Sequence, residues 1–260
     1  MSRATQSELL EQRIVENKSS QQIDLTTWIF ERVRVLPGDR VLELCCGTGA
    51  QTLRLLDLVG ECGQVTAVDI SKSALETLSS KARNAKGKLA CVEANLDSFS
   101  SALTGEDQGH SSFDLVFCAY GLYYSSDAEK TLDAARDHLK PGGRIAVVGP
   151  FGPNNSRLFD LVRASGAAIG EAVRFSSESF MPQVVVPWGS RHFETLTLHT
   201  MVNPVTWTSP ERVLNYWQNT TFYDPEKRNN FEKLLQAHFA DSHTFVNEKW
   251  VILVEMSHGR

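Results

Sequence analysis

Between Arg40 and Gly149 the chain repeats one rhythm: a short apolar run, a turn, a helical pattern, and another apolar run. The apolar runs are Val41–Leu44, Gln64–Asp69, Lys88–Glu93, Phe113–Ala119 and Arg144–Gly149. Helical periodicity fills Gln51–Val59, Lys72–Ala85 and Asp127–Leu139. Strands alternating with helices at this spacing predict βαβ units, hence a parallel sheet. The runs are nearly continuous in apolar residues, as strands are when helices cover both faces. Thr104–Ser112 is polar and reads as a loop.

The flanks read differently. Leu9, Leu10, Arg13 and Ile14, then Leu25, Trp28, Ile29 and Val33, recur at three- and four-residue steps and predict two short helices, with Asn17–Gln22 as a polar break. After Pro150 the rhythm stops. Residues 151–190 are rich in Gly, Pro and Ser, with one helical stretch at Leu158–Val173. Phe193–Met201 and Phe245–Val254 read as strands, and Pro210–Gln218 and Pro225–Phe239 as helices. The expectation is one structural domain: a helical cover at 1–36, a Rossmann-like core at 37–150, and at 151–260 a lid with the last two of seven strands. Residues 151–260 hold 15 of the 23 aromatics, an excess that fits either a pocket for an apolar or aromatic ligand or the core of a cap.

Composition narrows the classes. The 260 residues carry 26 Lys and Arg against 31 Asp and Glu, a net charge of −5, with 42% hydrophobic residues. Lys and Arg form no run of three, which argues against a nucleic-acid footprint. No apolar run reaches the roughly 20 residues a membrane span requires. The first residues lack the apolar core of a secretory signal. Five cysteines without a C-x-x-C pair predict reduced thiols in a cytoplasmic protein and no structural metal site.

Chemistry concentrates at Val41-Leu42-Glu43-Leu44-Cys45-Cys46-Gly47-Thr48-Gly49, a strand entering a glycine turn and then a helix. In a parallel sheet, ligands sit beyond the carboxyl ends of the strands. Glycine there admits a close backbone approach, and the following helix offers its positive end. Asp69 ends the second strand 20 residues after Gly49 and is placed to accept from a ribose diol; as a cap for the next helix it needs no ligand. Asn95 and Leu96 follow the third strand, an amide beside an apolar side chain, matched to the edge and face of adenine. A dinucleotide fingerprint wants a third glycine where Thr52 stands. Glu43 lies four residues before Gly47, where its charge repels a pyrophosphate and attracts a sulfonium.

These segments resemble the class I S-adenosylmethionine-dependent methyltransferases: E-L-C-C-G-T-G, V-T-A-V-D-I-S, C-V-E-A-N-L, F-D-L-V-F-C-A-Y and L-K-P-G-G-R stand in family order over residues 36–150. The flavour is that of the UbiE/COQ5-like small-molecule group. The resemblance implies a Rossmann-like, mostly parallel seven-stranded sheet and S-adenosylmethionine as methyl donor. Glu43 would organise the glycine loop and methionine amine. Gly47 and Gly49 would pass beneath the cofactor, Asp69 would hold the ribose, Asn95 and Leu96 the adenine, and Ala119 with Tyr120 the methionine, with Cys45, Thr48 and Ile70 also in the cofactor-binding set. Cys45 replaces the family's usual glycine, so it must keep an ordinary φ or be strained by about 1 kcal/mol or more. Ala119 can reach the cofactor only through its backbone.

The acceptor is expected to be a small apolar or aromatic molecule methylated in line, with no metal. Catalytic candidates are Tyr120 and Tyr124 of the A-Y-G-L-Y-Y run, with Tyr123 beside them, and His192 near the sixth strand. An aromatic ring there can shield a sulfonium or simply pack. His138 and His199 read as structural. An NAD-dependent oxidoreductase and a non-catalytic protein of the same fold are the alternatives. Acceptor, methylated atom and oligomeric state stay open.

Overall fold

The computed structural model describes residues 7–103 and 112–258. The polar loop expected at Thr104–Ser112 lies outside them, Ser112 apart. Helices α1 (Ser7–Ser20) and α2 (Leu25–Phe30) open the chain. They are followed by β1 (Arg40–Leu44), α3 (Thr52–Val59), β2 (Gln64–Asp69), α4 (Lys72–Lys81), β3 (Lys88–Glu93), α5 (Phe99–Ala102), β4 (Phe113–Ala119), α6 (Ala128–Asp137) and β5 (Leu139–Pro150). After them run α7 (Ser156–Ala164), α8 (Glu171–Arg174), α9 (Val186–His192), β6 (Thr195–Trp207), α10 (Pro210–Gln218), α11 (Arg228–Asp241) and β7 (Phe245–Ser257). The strands form one seven-stranded sheet in the order β3-β2-β1-β4-β5-β7-β6. β1 pairs parallel with β2 and β4, β2 with β3, and β4 with β5. The order reverses at β1, whose carboxyl end is therefore a switch point.

The chain forms two compact units. One comprises Leu25–Gly149, Met181–His199 and Ile252–Arg260. Its centre is β1, where Val41, Leu42 and Leu44 are at most 2% exposed because both faces are covered. β3 departs from the expected apolar run: Lys88, Cys91 and Glu93 are exposed, since it is the sheet edge. The other unit comprises Met1–Asp24, Pro150–Phe180 and Thr200–Val251. There Trp207, Trp217, Phe231 and Phe245 pack with Leu158 and Val162 in a core of their own. Much of the aromatic excess after residue 150 is thus core; Trp217 stacks on Phe231 at 4.2 Å.

Several boundaries moved for identifiable reasons. The polar break expected at Asn17–Gln22 begins only after Ser20: Arg212 bonds Glu16, Ser19 and Ser20 and holds the last turn of α1. The single helix expected at Leu158–Val173 ends at Ala164, where Gly166 takes φ +87°. Residues 171–192 then form a helix with two π-type stretches, Phe175–Ser179 and Met181–Val185. Pro182 has no N–H for the carbonyl of Glu178, which accepts from Gly152 instead (2.9 Å). The Lys140–Gly143 turn is a bulge inside β5 rather than a turn before it: Phe113 pairs with Leu139 and Leu115 with Arg144.

Candidate active site at the carboxyl ends of the strands

The glycine turn leaves β1 at Leu44. Cys45 takes φ +57°, Gly47 +54° and Gly49 +89°. Cys45 therefore carries the left-handed strain foreseen for a residue with a Cβ. Its side chain occupies the space opposite Gly121: a Cβ added at Gly121 would lie 2.2 Å from the Cys45 Cβ and 2.6 Å from its Sγ. A hydrogen bond with Cys118, then burial, pushes the Cys45 thiol up; burial does the same to Cys46. All described cysteines are free; Cys46 is buried and Cys45 half-buried, and both thiols are held protonated, unlike a reactive couple. Gly49 serves packing, since a Cβ there would meet Leu78 of α4 at 2.4 Å.

Asp69 closes β2 and ties the turn down. Its Oδ2 accepts from Gly47 N–H (2.8 Å) and its Oδ1 from Ser71 N–H (2.9 Å). The capping of α4 that Asp69 might have provided falls to Ser71, which accepts from Ala74 N–H. Each Asp69 oxygen keeps a lone pair, so bonding within the chain and ribose binding are compatible. Ile70 beside it is 52% exposed, an apolar surface at the strand end.

Glu43 lies under the turn, 2% exposed in the central strand. Burial raises its pKa to about 8; the nearby Thr52 hydroxyl pulls down, and Asp69 pushes up. At neutral pH without a ligand most Glu43 is protonated, because desolvation outweighs every neighbour. The floor of the site is therefore an uncharged acid at neutral pH, and it ionises as pH rises past about 8. Its Oε2 is buried with no hydrogen-bond partner under the turn. Thr52, in the third-glycine position of a dinucleotide fingerprint, is fully buried beside it.

After β3, Asn95 Oδ1 accepts from Asp97 N–H (2.9 Å) and Leu96 is buried. Asp97, which sequence left without a role, accepts from the Ser125 and Ser126 hydroxyls at 2.6 and 2.7 Å, clamping the loop after β4 to the loop after β3. Ala119 ends β4 opposite Val148, and its methyl side chain offers no polar group. Tyr120 follows with φ +57°, its N–H on Val148 O (2.8 Å). Tyr124 is 53% exposed and packs on Tyr123 at 4.8 Å.

Glu43, Cys45–Gly49, Asp69–Ile70, Asn95–Leu96 and Ala119–Tyr120 thus gather at the carboxyl ends of β1–β4. His192 does not join them. It stacks on Trp188, and its Nδ1 pairs with Arg136 at 2.6 Å. Arg136 ends α6 just before β5 begins, so this contact belongs to the amino ends of the strands. Contrary to the expectation from sequence, His192 therefore lies at the opposite ends of the strands from the candidate site. His138 is likewise structural: it is buried and its Nε2 meets Ser100 Oγ at 2.7 Å. Among the described residues no cluster suits a metal ion, and no helix is long and apolar enough to cross a membrane.

The chain is similar to known proteins in sequence and in fold. Residues 41–143 match the family model described as a methyltransferase domain. That segment is similar to the methyltransferase domains of UbiE-type proteins. The 2-phytyl-1,4-naphtoquinone methyltransferase of Trichormus variabilis is 38% identical over 125 residues, 47% of this chain and 51% of that protein. The ubiquinone/menaquinone biosynthesis C-methyltransferase UbiE of Psychromonas ingrahamii is 36% identical over 149 residues, 55% of this chain and 57% of that one. The chain spans about half the length of these relatives. In fold it is similar to phosphoethanolamine N-methyltransferase 2 of Haemonchus contortus, solved with S-adenosylhomocysteine, at a TM-score of 0.56 and 14% identity, covering 97% of this chain and 57% of that one.

Proposed function

We propose that the chain transfers a methyl group from S-adenosylmethionine to a small-molecule acceptor. The observation that carries this is the orphan Glu43 Oε2 beneath a glycine turn pinned by Asp69. A buried carboxyl oxygen without a partner fits a site completed by a cation. In this reading Glu43 compensates the ammonium of the methionine moiety. Asp69 accepts from the ribose diol, Ile70 and Leu96 flank the adenine, and Asn95 meets its edge. The backbone of Cys45, Gly47, Thr48 and Gly49 runs beneath, and Ala119 and Tyr120 bound the methionine end. When bound, the cofactor supplies an electrophilic methyl on a cationic sulfur. The chain's task is then alignment and exclusion of water, and positioning alone supplies up to about 7–11 kcal/mol of such a barrier. Tyr120, in a strained backbone, and Tyr124 are the groups proposed to face the acceptor. The names of the relatives favour a ring of quinone type as acceptor, within a biosynthetic role in the cytoplasm.

Calorimetry with S-adenosylhomocysteine tests the site. Asp69→Ala should weaken binding by about 1.5–3 kcal/mol, through lost ribose bonds and a loosened turn. Equal affinity in wild type and variant would remove Asp69 from the site. Incubation with a tritiated methyl donor and cell extract tests the acceptor class. Label should enter small molecules; label in protein or RNA would overturn a small-molecule acceptor, and absence of binding and transfer would favour a non-catalytic protein.

A further inference from the structure

The turn after β3, with Asn95 and Leu96, and the loop after β4, with Tyr123 and Tyr124, lie in one compact unit, within its segment Leu25–Gly149. Asp97 joins them. Its N–H donates to Asn95 Oδ1 (2.9 Å), so the amide set against adenine in the proposed function also fixes the backbone of Asp97 and keeps its own NH2 donors for the base. The Asp97 carboxylate receives the far loop. Oδ1 accepts from the Ser125 hydroxyl (2.6 Å), Oδ2 from the Ser126 hydroxyl (2.7 Å), and the two share Ser126 N–H at 3.1 and 3.2 Å. The Ser125 and Ser126 hydroxyls hold this carboxyl below the usual carboxylate range. Ser125 in turn accepts from Asp127 N–H (3.1 Å) and meets Thr131 Oγ1 at 2.9 Å, while Asp127 caps α6 through Lys130 N–H (3.2 Å).

The loop is held at both ends, by different means. At the near end Tyr120 N–H bonds Val148 O (2.8 Å) and Leu122 is 2% exposed. A short 3-10 turn, Leu122–Tyr124, follows, with Tyr124 N–H on Gly121 O (2.9 Å) and Ser125 N–H on Leu122 O (3.1 Å). At the far end the hold is Asp97, and it is made at the surface: Asp97, Tyr124 and Ser126 are all exposed. Hydrogen bonds that water can reach are individually weak and open locally. Their net strength depends on how far both partners are ordered beforehand, since each mobile residue must be fixed when the bond forms. A ligand on Asn95 orders the residue that presents Asp97, and so removes part of that cost from the clamp.

On the methyltransferase reading, on which this step rests, we propose that Asp97 is a positioning residue: through it, a cofactor seated on Asn95 and Leu96 fixes the tyrosine loop, residues 121–126, that faces the acceptor. Amide hydrogen exchange read by mass spectrometry, with and without S-adenosylhomocysteine, tests this. In wild type the ligand should slow exchange at residues 125–127, none of which is assigned to the cofactor, by about 10–100-fold, the factor corresponding to a hydrogen bond to a charged group. In Asp97→Ala that slowing should be lost while the slowing at residues 45–49 remains. Asp97→Asn keeps one acceptor oxygen and should restore part of it. The double variant Ser125→Ala/Ser126→Ala leaves Asp97 in place and should lose most of it; this variant carries the test if circular dichroism shows Asp97→Ala to be unfolded. By reciprocity, S-adenosylhomocysteine should bind Asp97→Ala at least about fivefold more weakly. A clamp with a purely structural role would speed exchange at 125–127 equally in free and bound protein and leave the affinity unchanged. That result, or full slowing in a folded Asp97→Ala or double-serine variant, overturns the proposal. Binding to wild type without slowing at 125–127 overturns it too and leaves the methyltransferase reading standing; no binding to wild type overturns both.

Discussion

Glu43→Gln is expected to raise stability and lower cofactor affinity together. The folded carboxyl titrates near 8 and the unfolded one near 4.5. Between those values the folded protein holds a proton that the unfolded chain has released. Stability therefore falls as pH rises through this window, and the loss is complete above about pH 8. Glutamine is never charged and removes the penalty. The variant should be more stable than wild type by roughly 3–5 kcal/mol at pH 8, with the gap closing toward pH 4.5. Urea titrations at several pH values measure this; a gap that is constant with pH would show that Glu43 does not titrate as described. The same proton governs binding. A cation reaching Glu43 favours the carboxylate, so wild type should release close to one proton per cofactor bound below pH 8, seen as buffer-dependent heats. Glu43→Gln should release none and bind about 10–100-fold more weakly. Those two outcomes together would make Glu43 a stability–function trade-off confined to one side chain.

Gly121→Ala should cost about 3 kcal/mol alone and little in a Cys45→Gly background. Gly121 has φ −129°, which alanine adopts freely, so the penalty is steric. The new Cβ has no room at 2.2 Å from the Cys45 Cβ, and neither side can yield, since one is a strained turn and the other follows β4. Cys45→Gly removes both offending atoms, leaving Cys118 Sγ at 3.4 Å, an ordinary contact. It also relieves a left-handed φ at about 1 kcal/mol, offset by lost packing around Cys118. A double-mutant cycle by chemical denaturation should give a favourable coupling of about 2 kcal/mol or more. Additivity would mean that the two loops do not share this space. The cysteine in place of the family's glycine is thus accommodated by a glycine 76 residues away in sequence.

Much of the scaffold was legible because periodicity reports burial. β4 and α10 fall on their expected bounds, since Phe113–Ala119 is a continuous apolar run and Pro210 marks a helix start. The glycine turn, Asp69 and the loops after β3 and β4 follow from strand ends, which a parallel sheet brings to one edge. Other features had no local signal. β6 continues six residues past its expected end, through Val202-Asn203-Pro204, because Asn203 bonds Ile23 on both its N–H and carbonyl. Nothing near His192 in the chain tells which end of the sheet it faces. The clamp from Asp97 to Ser125 joins loops 28 residues apart in sequence.

Sequence by itself determined the sheet's rhythm, the glycine turn at β1 and the acids at 43 and 69, since each depends on residue type and short spacing. Tertiary structure alone decided the protonation of Glu43, the fit of Cys45 against Gly121, the exclusion of His192 and the clamp from Asp97 to Ser125 and Ser126. Those depend on desolvation and on distances between residues remote in the chain, which no local pattern encodes.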